Sequence, residues 1–267
     1  MPTDKRERQR AGREARRAEA AAAQRRAARR RQILSVVGLL AVVVGIGVFI
    51  NLSGKDDSTD SVDTGSDATT STTAAAPKPA AGTSACPPAD GAKEPKKAFD
   101  GVPKDCLAKG ATYAADVETD AGSFTITLDA AKAPTTVNSF VFLSRYRAYE
   151  GVPFHRVIPG FVVQGGDVEK GSGSGGPGYE FADELPKAGE YEIGSVAMAN
   201  SGPNTNGSQF FVITGDQGVQ LPPSYSLFGK VTSGMDIVKK IEADGDASGT
   251  PKVTHKIVKV TITEKKD

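Results

Sequence analysis

The chain divides by hydropathy into two unlike parts. From Tyr113 onward, short apolar runs alternate with polar positions and are broken every few residues by Gly, Pro, Asn or Asp. Such runs read as strands between turns. Tyr113–Thr119 is predicted as a strand, Asp120-Ala121-Gly122 as a hairpin turn and Ser123–Leu128 as the partner strand. Ala133–Tyr146 places Val137, Phe140, Val141 and Phe142/Leu143 at helical spacing, with Pro134 suited to a first turn. Phe154–Ile158 and Phe161–Gln164 read as two strands joined by a Pro159-Gly160 turn. Period-2 alternation then sets Arg156 on one face with Phe154 and Ile158, and Phe161 on one face with Val163. Further strands are expected at Gly194–Ala199, Gln209–Thr214, Leu227–Val231 and Ile257–Thr263. A short helix is expected over Gly234–Ala243, with Met235, Ile237/Val238 and Ile241 inward. Evenly spaced strands with two helices predict a mainly β fold, a closed antiparallel barrel.

Ahead of these elements the pattern changes. Residues 1–32 hold 12 Lys/Arg and 4 Asp/Glu, a net +8, and since the whole chain carries +1 the remainder carries −7. This basic tail has no apolar face to bury. Ile33–Leu52 follows, twenty residues without a charge, long enough to cross the ~30 Å core of a bilayer as a helix. A buried core helix is seldom apolar all round. A cleaved signal peptide has a shorter apolar run, ~7–15 residues, and a small-x-small site behind it. An uncleaved single-pass anchor fits better. Arginines flank its N-terminal end, and Asp56, Asp57 and Asp60 follow it. The positive-inside rule sets residues 1–32 in the cytoplasm and everything after Leu52 outside, in a single-pass plasma membrane protein. The tail then serves topology and attraction to anionic lipid. Without aromatic interleaving it is not expected to bind nucleic acid.

Residues 53–85 are Ser, Thr, Ala, Asp, Gly and Pro, a composition that cannot bury enough apolar area to offset ordering entropy. They are expected to form a flexible tether. Residues 86–110 form a loop bounded by Cys86 and Cys106, ahead of the domain at 111–267. Outside the cytoplasm these two cysteines are expected to pair as a structural disulfide. Two free thiols are the alternative. A redox or zinc CxxC is ruled out by spacing. With two His in the chain, most histidine-rich metal sites are excluded as well, and neither a metal nor a cofactor is expected. Gly171-x-Gly173-x-x-Gly176 matches a dinucleotide fingerprint by letter, but Pro177 stands where a helix would begin.

Two stretches concentrate the remaining chemistry: FHRVIPGFVVQGGD at Phe154–Asp167 and MANSGPNTNGSQFF at Met198–Phe211. Together they supply donors (Arg156, Gln164, Asn200, Gln209) and an apolar floor (Phe161, Val162, Ala199, Phe211). A guanidinium among large apolar side chains is costly to bury unless it is used. Neither stretch offers a nucleophile with a base. Both closely resemble the signatures of the cyclophilins, peptidyl-prolyl cis-trans isomerases, and the resemblance extends over roughly Tyr113 to Glu264. It implies an eight-stranded antiparallel barrel capped by two helices, acting on proline-containing polypeptides.

The resemblance also assigns roles. Arg156 is the expected catalytic donor. Phe161, Val162, Phe211 and Leu221 are expected to grip the proline ring, and Gln164, Ala199, Asn200 and Gln209 to hold the peptide backbone. Many cyclophilins carry a Trp-Leu pair and, four residues on, a pocket-lining His. Here Gln220-Leu221 and Tyr225 stand in those places, so Tyr225 is expected to cap the pocket and cyclosporin to bind weakly or not at all. His155 is expected to be structural, and His255, which no partner motif accompanies, to be a surface residue. Taken singly, Phe161 and Phe211 are more often core, Asn200 more often a turn residue and Arg156 more often a surface ion-pair residue; the joint pattern is what favours the functional reading. The leading expectation is a membrane-tethered isomerase of extracytoplasmic proteins. The alternative is a tethered proline-recognition module with little turnover. No GxSxG supports a hydrolase.

Overall fold

The computed structural model describes residues 82–266. The basic tail, the apolar segment Ile33–Leu52 and nearly all of the expected tether lie outside the described residues. The described chain forms strands β1 (Ala111–Thr119), β2 (Gly122–Leu128), β3 (Arg156–Ile158), β4 (Val162–Gly165), β5 (Ser195–Met198), β6 (Phe210–Ile213), β7 (Leu227–Ser233) and β8 (Ile257–Lys266). Its helices are α1 (Pro134–Arg145), α2 (Asp216–Val219) and α3 (Met235–Ala243).

All eight strands join one sheet in the order β3-β4-β6-β5-β7-β2-β1-β8, every pair antiparallel. The expected closed barrel is therefore a half-barrel with two end strands. β3 has only three residues, too few to ladder against β8. The gap is bridged by the segment ahead of β3: Gly151 N–H donates to Ile257 O at 2.8 Å and Phe154 N–H to His255 O at 2.9 Å. Two helices were expected and three are present among the described residues. α2 is a single turn of four residues, too short to show apolar periodicity. β1 and β8 pair from Ala111↔Lys266 onward, beyond the apolar run that predicts them, because β8 is an edge strand with polar outward positions.

β4, β5 and β6 are buried on both faces. Along β6, Phe210 and Val212 enter the main core while Phe211 and Ile213 enter a second, smaller cluster. Val163 and Val162 divide the same way on β4. α1 covers the main core, where Phe140 meets Tyr149, Phe210 and Phe228 at ring-centroid distances of 5.2, 5.5 and 5.2 Å. Pro134 opens α1, and the cap comes from far away: the Glu184 carboxylate accepts the Thr135 and Thr136 N–H groups at 2.9 and 2.8 Å. The second cluster lies on the opposite side of these strands, and it forms the floor of the site.

The strand around Arg156 differs from its predicted form. Phe154 is fully buried but precedes β3, so Arg156 shares its side of the strand with Ile158 alone. Phe161 precedes β4 and packs with Val162 rather than on the side of Val163. The tight Pro159-Gly160 turn resets the alternation that sequence spacing assumes. Glu242 on α3 accepts the Gly160 N–H at 2.7 Å and fixes that turn.

Candidate active site

β3 and β4 pair Arg156 with Gln164, which brings their side chains together. Arg156 Nη1 donates to Gln164 Oε1 at 3.2 Å, and the guanidinium carbon stands 5.4 Å from the centroid of the Phe161 ring. Arg156 is half-buried, and among the described residues it makes no ion pair with a carboxylate. Burial lowers its pKa, with Tyr225 opposing the shift, and the group remains a cation at neutral pH.

A line of amides continues from it. Gln164 Nε2 donates to Gln209 Oε1 at 3.3 Å, and Gln209 Nε2 donates to the carbonyls of Gly173 and Gly175, both at 3.0 Å. The Gly-rich loop is held in turn by Asp167. Its Oδ2 accepts the N–H groups of Ser172, Gly173 and Gly175 at 3.0, 2.8 and 3.0 Å, and its Oδ1 accepts Lys170 N–H at 2.9 Å. Burial alone would push this carboxyl up; the backbone donors outweigh burial and hold it at about 2. Gly173 has φ +92°, and a Cβ there would stand 2.8 Å from His155 Nε2, so the loop lies directly on the His155 ring. That ring is half-buried, neither nitrogen has a partner among the described residues, and burial lowers its pKa.

The apolar side of the site is the second cluster. Val162 and Phe211 are buried in it, and Phe161, Ala199, Leu221 and Tyr225 pack against it half-exposed. The Tyr225 ring meets the Phe211 ring edge-on at 5.4 Å. Its backbone is pinned by Tyr191, whose hydroxyl donates to Tyr225 O at 2.7 Å and accepts Tyr225 N–H at 3.1 Å. Burial pushes the Tyr191 hydroxyl up to about 12. Ala199 N–H donates to Gln209 O at 2.9 Å, and Asn200 Nδ2 donates to Ser224 O at 2.9 Å. A cleft of 610 Å³ adjoins this floor, and Gln164, Ala199, Asn200 and Gln209 all line it along with the Gly-rich loop. The nine residues expected to contact substrate thus fall into two adjoining groups, an apolar pocket and a polar cleft, with Arg156 joined to the cleft through Gln164.

Asp167 and Tyr191 were not singled out by sequence. Asp167 closes a signature stretch, but its partners are backbone groups that no side-chain pattern reveals. Tyr191 lies outside both stretches and carries no signal of its own. His255, expected at the surface, is mostly buried and clasped by two carboxylates: Nδ1 lies 2.8 Å from Asp120 Oδ1 and Nε2 lies 2.8 Å from Asp244 Oδ2. Asp120 is far away in sequence, which hid the contact. Cys86 and Cys106 are joined as a disulfide.

Comparison with known proteins agrees with this geometry. Residues 114–262 match the family model described as cyclophilin type peptidyl-prolyl cis-trans isomerase/CLD. A probable peptidyl-prolyl cis-trans isomerase B of Mycobacterium leprae is 41% identical over 155 residues, which are 52% of this chain and 52% of that one. The match thus spans about half the length of that relative. The Arabidopsis thaliana isomerase CYP18-2 is 41% identical over 129 residues, 47% of this chain and 77% of that one. A crystal structure of a cyclophilin type peptidyl-prolyl cis-trans isomerase from Cryptosporidium parvum superposes with a TM-score of 0.53 at 32% identity, covering 57% of this chain and 98% of that one. A second structure of that protein, in the presence of the dipeptide Ala-Pro, gives a TM-score of 0.52 at the same identity, over 56% and 98%. With the signatures, the half-barrel and the family match in agreement, this chain belongs to the family of cyclophilin-type peptidyl-prolyl cis-trans isomerases.

Proposed function

We propose that this chain accelerates X-Pro isomerisation in extracytoplasmic polypeptides by a non-covalent, electrostatic mechanism centred on Arg156. The observation that carries this reading is a half-buried guanidinium tied to the Gln164 amide and to no carboxylate among the described residues, beside the Phe161 ring. Rotation about a peptide bond is opposed by ~18–20 kcal/mol because the amide nitrogen lone pair is delocalised. Uncatalysed X-Pro exchange takes ~10–100 s, so turnover near ~10³ s⁻¹ needs ~7 kcal/mol of transition-state stabilisation. No bond breaks, and no nucleophile is required. As the prolyl nitrogen pyramidalises, its lone pair localises and becomes an acceptor. A preorganised cationic donor aimed at that nitrogen stabilises the twisted state more than the planar one.

In this reading Phe161, Val162, Phe211, Leu221 and Tyr225 hold the proline ring. Gln164, Ala199, Asn200 and Gln209 hold the flanking backbone while the preceding carbonyl turns. The structural neighbour studied with Ala-Pro supports a proline-containing peptide as substrate. Tyr191 fixes Tyr225, and Asp167 fixes the loop behind Gln209. With Tyr225 and Gln220 in place of the His and Trp of many relatives, cyclosporin binds weakly or not at all. Ile33–Leu52 anchors the domain to the plasma membrane, with residues 1–32 cytoplasmic. The support for the anchor is the charge asymmetry around an uncharged run of twenty residues.

The test is NMR exchange on an Ala-Pro peptide with the full chain in detergent. Exchange well above background supports the isomerase, and a folded chain at the background rate overturns it. Protease treatment of intact cells tests the orientation: the domain after residue 82 is digested if it lies outside and survives if it does not.

A further inference from the structure

The family match begins at residue 114, yet the chain from 82 to 110 is packed against the domain. Its ends are joined by Cys86–Cys106, with Cα atoms 5.4 Å apart, and by a bridge between Ser84 and Pro103. It is moored along α1. The Asn138 side chain accepts Cys106 N–H and donates to Lys104 O, both at 2.8 Å. Ala92 and Lys96 donate N–H groups to Arg145 O and Tyr146 O at 2.7 and 2.9 Å.

Between these moorings the strap sends one aromatic side chain inward. Phe99 is 5% exposed and its ring lies 4.7, 5.1 and 6.4 Å from those of Phe142, Tyr146 and Tyr179. Its main chain grips the Gly-rich loop: Phe99 N–H donates to Pro177 O at 2.8 Å. Gly178 has φ +90°, and a Cβ there would stand 2.4 Å from Phe99 O, so only glycine admits this approach. Pro177, Gly178 and Tyr179 line the same cleft as Gln164, Asn200 and Gln209. Asp167 fixes the loop as far as Gly175. Beyond it, the wall from Pro177 to Tyr179 is held by Phe99, by the bond between the Tyr179 and Ser139 hydroxyls at 2.8 Å, by the Phe142 ring 6.5 Å from that of Tyr179, and by Gly207 against Pro177; of these, Phe99 alone comes from the strap.

We propose that the disulfide-closed strap Cys86–Cys106 completes the substrate-binding cleft, with Phe99 as a positioning residue that holds the Pro177–Tyr179 wall in place. This rests on the isomerase reading. A glycine-rich wall without a brace has many conformations, and a peptide lying along it must order it on binding. The brace therefore favours peptides that extend through the cleft over those that fill only the proline pocket.

The test compares a capped Ala-Pro dipeptide with a long peptide centred on the same Ala-Pro bond, using the full chain in detergent. Phe99→Ala raises KM for the long peptide about fivefold or more relative to the dipeptide, equal to about 1 kcal/mol. Phe99→Leu restores most of the ratio. Ile257→Ala, a core truncation away from the cleft, lowers stability and leaves the ratio unchanged. An unchanged ratio in folded Phe99→Ala overturns the proposal. If Phe99→Ala fails to fold, hydrogen exchange in the paired Cys86→Ser/Cys106→Ser variant decides. Faster exchange confined to the strap and residues 176–179 supports the brace, and an unchanged pattern there overturns it. A wild-type chain inactive on both peptides would remove the isomerase reading, while the exchange experiment would still report on the brace.

Discussion

Asp167→Asn probes the hidden anchor of the site. Asp167 is 1% exposed, and its carboxylate oxygens accept N–H groups from Glu169, Lys170, Ser172, Gly173 and Gly175. Burial opposes ionisation, but these donors outweigh it and hold the native carboxyl at about 2 against the ordinary 3.8. At roughly 1.4 kcal/mol per tenfold, that span is worth ~2.5 kcal/mol of native stability at neutral pH. The native pKa lies below the unfolded one, so the contribution is complete well above 3.8 and is lost as pH falls toward about 2. Near pH ~3 about half of it is gone. Asparagine has no charge to titrate, and its NH₂ group adds a donor where the loop supplies only donors. Urea unfolding of wild type and Asp167→Asn therefore gives a gap of ~2–3 kcal/mol at neutral pH that narrows by roughly half near pH ~3. A gap of constant size across this range would refute the charge argument. No gap at neutral pH would refute the anchor itself.

Two further predictions concern stability. Replacing both Cys86 and Cys106 by Ser removes a cross-link closing a loop with 19 intervening residues and lowers stability by about 3 kcal/mol in the chain-entropy model, read as a fall in urea midpoint. His255 is buried enough to be pushed down, but Asp244 and Asp120 outweigh this and raise its pKa above 6.5. Its contribution is therefore present below 6.5 and lost as pH rises through the raised native value. Since both carboxylates are partly exposed, at 46% for Asp120 and 36% for Asp244, solvent screens the pair, and His255→Gln costs ~0.5–1 kcal/mol in mild acid and less at alkaline pH, in parallel thermal melts.

The legibility of this molecule follows the range of its interactions. Strands and α1 were readable because their apolar spacing is local. The proximity of Arg156, Gln164 and Gln209 to Phe161, Val162 and Phe211 was legible because the two stretches that carry them fold into paired strands, β3–β4 and β5–β6, whereas Leu221 and Tyr225 reach the floor from outside both stretches. The order in which strands join the sheet was beyond spacing alone, and so was the break between β3 and β8. Phe154 misled the strand prediction because it is core without being strand. Phe99 stands in a lysine- and proline-rich stretch, where a lone aromatic has no periodicity to mark it as core. His255 and Asp120 are 135 positions apart, and nothing in either neighbourhood points to the other. Glu184 likewise caps α1 from 49 positions away. Each of these is a tertiary contact made by one side chain, the kind of information a linear pattern does not carry.

In the proposed mechanism Arg156 supplies stabilisation felt mainly in the transition state. The direct measurement is kcat/KM for X-Pro isomerisation by wild type and Arg156→Ala, beside peptide affinity from NMR titration. Loss of a preorganised donor to a developing lone pair predicts a fall of ~10²–10³ in kcat/KM, with peptide affinity changed only a few-fold. A folded Arg156→Ala variant that turns over at the wild-type rate would contradict the account.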